Sequence, residues 1–223
     1  MDEKIRINKY LSEAGVCSRR EADRQIELGN VSIDGKTAET GARVFEGQTV
    51  CYCGKPVSKE QEMILLAFHK PVGIVCTAEK REKNNVIDYL KYPKRIYPVG
   101  RLDRNSEGLL LFTDDGEMAN RLAHPSHGVS KTYRVWVSGP DAAEAAGALR
   151  RPIVYEGVRY RAAEVRVLRS AEDRALIDVT IREGKNREVR NMCAAAGLKV
   201  QRLLRIRQGE ISLGDLPAGQ WRY

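Results

Sequence analysis

The stretch Gly100-Arg101-Leu102-Asp103-Arg104-Asn105-Ser106-Glu107-Gly108-Leu109-Leu110 constrains this chain most. An apolar run, Arg95-Ile96-Tyr97-Pro98-Val99, leads into it, and another, Leu109-Leu110-Leu111-Phe112, leads out. Each run has the length and composition of a strand. The polar segment between them reads as a loop carrying Asp103 between Arg101 and Arg104, with glycine at either end. Glycine lets a backbone turn sharply and lets a ligand approach closely. Flanking cations favour the ionised form of a carboxylate. The arrangement suits a nucleophile or a base. By these residues alone a solvated surface loop fits as well, and is the commoner case.

The rest of the sequence narrows the class. Its 223 residues suit one large or two modest domains. A hydrophobic share of 42% is enough for a packed core. No apolar run reaches the roughly 20 residues that span a bilayer, and Met1-Asp2-Glu3-Lys4 opens no signal region. The five cysteines, at 17, 51, 53, 76 and 193, are an odd and scattered set, not a disulfide framework. The expected home is a reducing cytoplasm.

The net charge of +8 points to a polyanionic partner. The charge is unevenly spread. Residues 1–60 hold ten Lys/Arg and ten Asp/Glu, so all of the excess lies in 61–223, where 28 face 20. If the first part binds RNA, it does so through a segregated basic face.

Residues 6–14 place Ile7, Tyr10, Leu11 and Ala14 on one helical face, and Gly15 ends that helix. Ser18-Arg19-Arg20-Glu21 reads as a capping box, with Ser18 as cap and Glu21 reaching back. The second helix runs to Gly29 with Ala22, Ile26 and Leu28 as its apolar positions. Arg19 and Arg20 in a first turn oppose the helix dipole, which hints at phosphate contact, although a solvated charged face also fits. Val31-Ser32-Ile33 followed by Asp34-Gly35 predicts a tight hairpin, and Thr49-Val50-Cys51-Tyr52 another short strand. The polar, turn-rich residues 54–62 read as a linker.

Met63-Ile64-Leu65-Leu66-Ala67-Phe68 then opens a second domain as a buried strand. Strands are expected near 95–99, 109–113, 131–137, 153–155, 163–168, 175–182 and 199–206. Helices are expected near 84–90, 116–123, 141–150 and 186–196. Strands outnumber helices, and some are joined by tight turns. The fold class is α+β, with a small domain at 1–60 and a mixed, mainly antiparallel-sheet domain at 61–223.

Gly-Arg-Leu-Asp-x-x-Ser-x-Gly-Leu-Leu resembles the catalytic loop of RNA pseudouridine synthases. The wider resemblance is to the RsuA/RluB/RluE/RluF family, which modifies ribosomal RNA. It continues through Lys70-Pro71-Val72-Gly73, Lys131-Thr132-Tyr133-Arg134-Val135, Glu183-Gly184-Lys185-Asn186-Arg187-Glu188-Val189-Arg190 and Gly219-Gln220-Trp221-Arg222, and so covers nearly the whole chain. The resemblance implies an S4-like RNA-binding domain ahead of a catalytic domain, and site-specific isomerisation of uridine to pseudouridine in ribosomal RNA.

That reaction breaks the N1–C1′ glycosidic bond, turns the freed base and joins C5 to C1′. Nothing is oxidised, and no cofactor or metal is demanded. The expected metal set is therefore none. His124 and His127 across a Pro turn read as loop residues. The resemblance gives Asp103 the ionised carboxylate, Tyr133 the ring that stacks on the loose base, and Arg190 the cation paired with the Asp. Leu203 or Leu216 would wall the base. Glu188 stands where the family commonly has Gln, and Asn191 where a basic residue is common.

The carried-over contacts of the first domain are Arg6, Lys9, Ser18, Arg19, Arg20, Arg24 and Lys36. Arg101, Arg104, Lys131, Lys185 and Arg187 surround the catalytic motifs and are candidates for phosphate contact. The N-terminal motif and the Gly184-x-Asn186-Arg187 loop look closest to RluF and RluB, which act on large-subunit RNA. The small-subunit RsuA type is the alternative. The expected molecule is a cytoplasmic monomer with ribosomal RNA as its partner. A non-catalytic RNA-binding or assembly protein would share the first domain and the charge, but would not need Asp103, Tyr133 and Arg190.

Overall fold

In a computed structural model the chain divides into two compact units, Met1–Ile64 with Asp114–Gly116, and Leu65–Thr113 with Glu117–Tyr223. The residues described are 4–58, 63–79 and 81–223. The expected domain boundary at 60/61 and the last part of the predicted linker, 59–62, lie outside them.

The N-terminal unit is built on two helices, Ile7–Glu13 and Arg19–Glu27. Their apolar stripes meet Val31, Ala38, Val44 and Val50 in one core with Ile7, Leu11, Ala22 and Ile26. Ser18 caps the second helix by accepting the Glu21 N–H at 3.1 Å. The reciprocal half of the predicted capping box is absent, because the Glu21 carboxylate accepts instead from Gln25 at 2.7 Å. Leu28 is exposed, a correction to its place on the apolar face: it sits at the helix C-cap, where the stripe has ended.

Asp34 and Gly35 both have positive φ, as the two-residue hairpin turn requires. They join Val31–Ile33 to Lys36–Thr37 in a four-stranded sheet that also holds Val50–Tyr52 and Lys55–Val57. The last of these strands falls within the predicted linker. Its Pro56 is tolerated because the strand lies at the sheet edge, where a missing N–H costs no ladder bond.

Among the described residues the second unit holds a nine-stranded mixed sheet. Its main path runs Glu164–Ser170, Arg174–Ile181, Lys131–Ser138, Lys199–Gln208, Glu107–Thr113, Leu65–Lys70 and Trp221–Arg222. All neighbours are antiparallel except Lys199–Gln208 with Glu107–Thr113. Helices Val86–Leu90, Gly116–Ala123, Ala142–Ala148 and Glu188–Ala195 fall where the periodicity predicts them. Hairpin strand Val158–Tyr160 and the terminal Trp221–Arg222 are too short to stand out in the sequence.

One position fixes the parallel contact. Gly108 has φ +108°, and a Cβ there would lie 2.3 Å from the Arg205 carbonyl oxygen and 2.6 Å from its nitrogen. The close approach that this glycine permits is therefore of one strand to another. The Glu107–Thr113 strand begins two residues earlier than the apolar run suggests, so Asp103 lies only a turn ahead of the sheet.

Candidate active site

Period-two alternation places Lys131, Tyr133, Val135 and Val137 on the buried face of their strand. On the adjacent strand Leu203 and Arg205 are buried at matching parity, and Arg205 stands directly across from Tyr133. Above this face the loops at 100–106 and 183–187 enclose a pocket of about 380 Å³. Asp103, Arg101, Lys131, Tyr133, Lys185 and Arg187 all line it, so six of the predicted site residues share one cavity. Leu203 lines it too, whereas Leu216 packs against the core cluster of Ala67, Val99, Leu109 and Leu111. A wider depression of about 790 Å³, around Trp136, Arg169 and Leu176, holds none of the predicted site residues.

The Asp103 loop is held from several sides. Lys70, fully buried, donates to the carbonyls of Pro71 at 2.9 Å and Ser106 at 2.8 Å. The Gly73 N–H donates to the Arg104 carbonyl at 2.8 Å, and the Leu102 N–H to the Cys76 sulfur at 3.3 Å. Within the loop the Ser106 N–H closes on the Asp103 carbonyl at 3.0 Å. The Lys70-Pro71-Val72-Gly73 motif thus acts as a bracket for the carboxylate loop. Burial pushes the Lys70 ammonium below its ordinary range, partly offset by the Cys76, Asp103 and Glu107 charges.

Arg190 belongs to that bracket, which corrects the expected ion pair. Its Nη2 donates to the Asn105 carbonyl at 2.7 Å and the Ser106 hydroxyl at 3.2 Å. The cation within ion-pair distance of Asp103 is Arg187, at 3.8 Å. Arg187 ends the loop in a left-handed conformation, φ 51°, just before helix Glu188–Ala195. Arg190 lies one turn further on, where the loop backbone claims its guanidinium. Burial and Arg187 draw its pKa down, and Asp103 opposes them, so Asp103 still feels its charge.

The second loop is organised by Glu188. This carboxylate is almost completely buried and accepts the N–H groups of Gly184 and Lys185, both at 2.8 Å. Burial pushes its pKa up, against those two hydrogen bonds. Glu188 therefore holds the loop from beneath. Lys185 is spoken for: its ammonium pairs with Glu183 at 2.6 Å and donates to the Arg159 carbonyl at 2.8 Å. Arg104 is exposed and does not line the pocket.

In the N-terminal unit, considered by itself, Arg6, Arg19, Arg20, Arg24 and Lys36 are exposed. Lys9 pairs with Glu13 at 3.5 Å.

Two residues of this site were missed in the sequence, Lys70 and Arg205. Both left a signal. Lys70 closes an otherwise apolar strand, and Arg205 shares the parity of Leu203 in the Lys199–Gln208 strand. A basic residue at a core position is seldom buried without a purpose.

Residues 64–195 match the family model described as RNA pseudouridylate synthase, and residues 5–50 match the S4 domain model. The chain is 37% identical over 231 residues to the dual-specificity RNA pseudouridine synthase RluF of Escherichia coli (strain K12), covering 99% of this chain and 76% of that protein. It is 36% identical over 222 residues to ribosomal large subunit pseudouridine synthase B of Bacillus subtilis (strain 168), covering 97% and 91%. A solved structure described as a crystal structure of pseudouridylate synthase matches with a TM-score of 0.64 and 26% identity, over 98% of this chain and 95% of that one.

Proposed function

This chain belongs to the RNA pseudouridylate synthase family, and from that premise we propose that its substrate is a uridine of large-subunit ribosomal RNA. The observation that carries the reading is the pocket in which Asp103 and Tyr133 meet under a basic rim. The names of its relatives support the target: one is a large-subunit enzyme, and another is called dual-specificity.

Asp103 is the reacting carboxylate, held beside the Arg187 charge by a loop with little freedom to move. A fixed carboxylate beside the glycosidic bond needs no reorganisation when charge develops at C1′. Tyr133 offers its ring to the released base, and Leu203 closes the wall beside it. Arg190 is a positioning residue that acts through the loop backbone. A uridine within a helix would be flipped out to enter. Arg101 and Arg187 meet the flanking phosphates at the pocket mouth. Arg6, Lys9, Arg19, Arg20, Arg24 and Lys36 give the S4 domain its RNA contacts. The chain acts as a cytoplasmic monomer. Among the described residues no helix is long and apolar enough to cross a membrane.

The test is to incubate the purified chain with large- and small-subunit RNA transcripts and map pseudouridine in each. The expected result is modification of the large-subunit RNA by the wild type and of neither RNA by Asp103→Asn. Modification confined to the small-subunit RNA would overturn the target, and turnover by Asp103→Asn would overturn the role of the carboxylate.

A further inference from the structure

The charges around the pocket do not balance. Two of its three acids are ion-paired, Asp103 with Arg187 at 3.8 Å and Glu183 with Lys185 at 2.6 Å; Glu188 gives one oxygen to two backbone N–H groups at 2.8 Å, and its other oxygen is buried without a hydrogen-bond partner. Of the three cations left, Arg101 is exposed and the other two are buried. Lys131 is 6% exposed and Arg205 is 1% exposed, and both line the cavity.

Neither forms an ion pair within 4 Å among the described residues, and the acid whose charge favours the Lys131 cation is Glu188. Arg205 spends its Nε on the Leu109 carbonyl at 2.6 Å. Its Nη1 reaches the Tyr133 hydroxyl and the Arg101 carbonyl only at 3.5 Å. Its Nη2 is buried without a partner. The Lys131 ammonium lies beside the backbone of Gly184. The two repel: Lys131 is drawn below its ordinary range by burial first and Arg205 second, with Glu188 opposing. Two buried like charges without an ion-pair partner cost stability. Such a cost is retained where a ligand brings the missing charge.

The reaction supplies that charge. When the N1–C1′ bond breaks, its electron pair leaves with the base. The uracil is an anion, and C1′ carries the matching electron deficiency beside the Asp103 carboxylate, until C5 bonds to C1′; the C5 proton then departs and N1 takes a proton. The negative charge spreads over N1 and the ring carbonyl oxygens. We propose that Lys131 and Arg205 form the anion-receptive floor of the pocket, holding the detached uracil through its carbonyl oxygens while it turns beside Tyr133. This rests on the pseudouridine synthase reading of the site. It also says why the base does not escape: the floor binds the anion more tightly than the neutral uridine, so the interaction strengthens where the barrier lies.

A purely structural lysine and a charge-holding lysine respond oppositely to Lys131→Met. The experiment measures the single-turnover rate at saturating RNA, the RNA concentration at half-saturation, and the thermal midpoint. The expected result is a rate lower by about 10²–10³-fold, the loss typical of removing one preorganised donor. Half-saturation should stay within a few-fold, and the midpoint should stay level or rise. A rate within a few-fold of wild type overturns the inference. If the midpoint falls, Lys131→Ala decides, assayed with ethylammonium and with ethanol. Recovery with the cation alone supports the inference, and no recovery with either overturns it. A wild-type chain that forms no pseudouridine removes the underlying reading and the inference with it. An active wild type with a Lys131→Met rate within a few-fold of it removes the inference alone.

Discussion

The two units use positive charge in different ways. The first 60 residues are electrically neutral overall, and their candidate contact residues Arg6, Arg19, Arg20, Arg24 and Lys36 stand in solvent. Residues 61–223 carry the whole net charge, yet the informative cations among them are buried. Among the described residues Lys70, Lys131 and Arg205 are the lysines and arginines that are buried; Lys131 and Arg205 line one cavity, and Lys70 donates to the Ser106 carbonyl in a loop that edges it. Solvated cations are screened by salt and suit the phosphate backbone. Buried cations act over a few ångströms, cost stability, and suit a charge that appears during a reaction. The contrast teaches that net charge locates neither function; the degree of burial separates them.

That division can be broken in several ways, and the largest effect belongs to the buried side. Asp103→Asn keeps the shape of the loop and loses the ionised oxygen. It should cut the single-turnover rate by about 10³-fold or more, with RNA affinity unchanged within a few-fold, as filter binding would show.

Removing residues 1–60 tests the solvated side. RNA affinity should fall by about 10²-fold, the gain that a linked second module can supply, and the dependence on salt should flatten. Circular dichroism should still report a folded second unit. A truncated chain that binds equally well would contradict the division.

Gly108→Ala probes the frame that carries the site. Its Cβ would collide with the Arg205 backbone at a φ that side chains rarely adopt. A loss of about 2–4 kcal/mol is expected by chemical denaturation.

Tyr133→Ala should lose base capture, worth about 1–3 kcal/mol for a ring stacked on a base. Tyr133→Phe should keep it and bind RNA normally. The expected cost to Phe is a rate about tenfold lower, with substrate stalled after glycosidic cleavage, because the hydroxyl lies 3.5 Å from the Arg205 guanidinium in the same pocket. Wild-type turnover by the Phe variant would rule the hydroxyl out as a proton carrier.

The smallest effect is Glu188→Gln. Burial raises the Glu188 pKa above the ordinary 4.5. The folded state then holds this proton more tightly than the unfolded chain does. The stability it contributes is present below about 4.5 and is lost as pH rises through the folded value. Gln keeps an oxygen for Gly184 and Lys185 without that titration. The difference in thermal midpoint should therefore move in favour of Glu188→Gln as pH rises from about 4.5, and should be flat if the carboxylate does not titrate in that window.

Much of this was legible in the sequence, for reasons that can be named. The two helices of the first unit, the Asp34-Gly35 turn and the alternating Lys131–Ser138 strand each follow from local periodicity or turn chemistry. The Asp103 loop stood out because glycines bound it. What stayed hidden depends on residues far apart in the chain. Arg187, rather than Arg190, faces Asp103 because a left-handed residue turns the loop before the helix starts. Arg205 reaches the floor only because its strand lies between those of Tyr133 and Gly108. Lys70 reads as the end of a strand until the loop it supports is folded over it. Pairing across sequence distance decides each case, and one sequence does not display it.

The most direct test of the division is the single-turnover rate as a function of RNA concentration, measured for wild type, Asp103→Asn and the double variant Arg19→Glu/Arg20→Glu on one RNA. The account expects Asp103→Asn to lower the plateau and leave the half-saturation point in place. It expects the double variant to raise the half-saturation point and leave the plateau in place. A plateau that collapses in the double variant, or an Asp103→Asn chain that reaches the wild-type plateau, would contradict it.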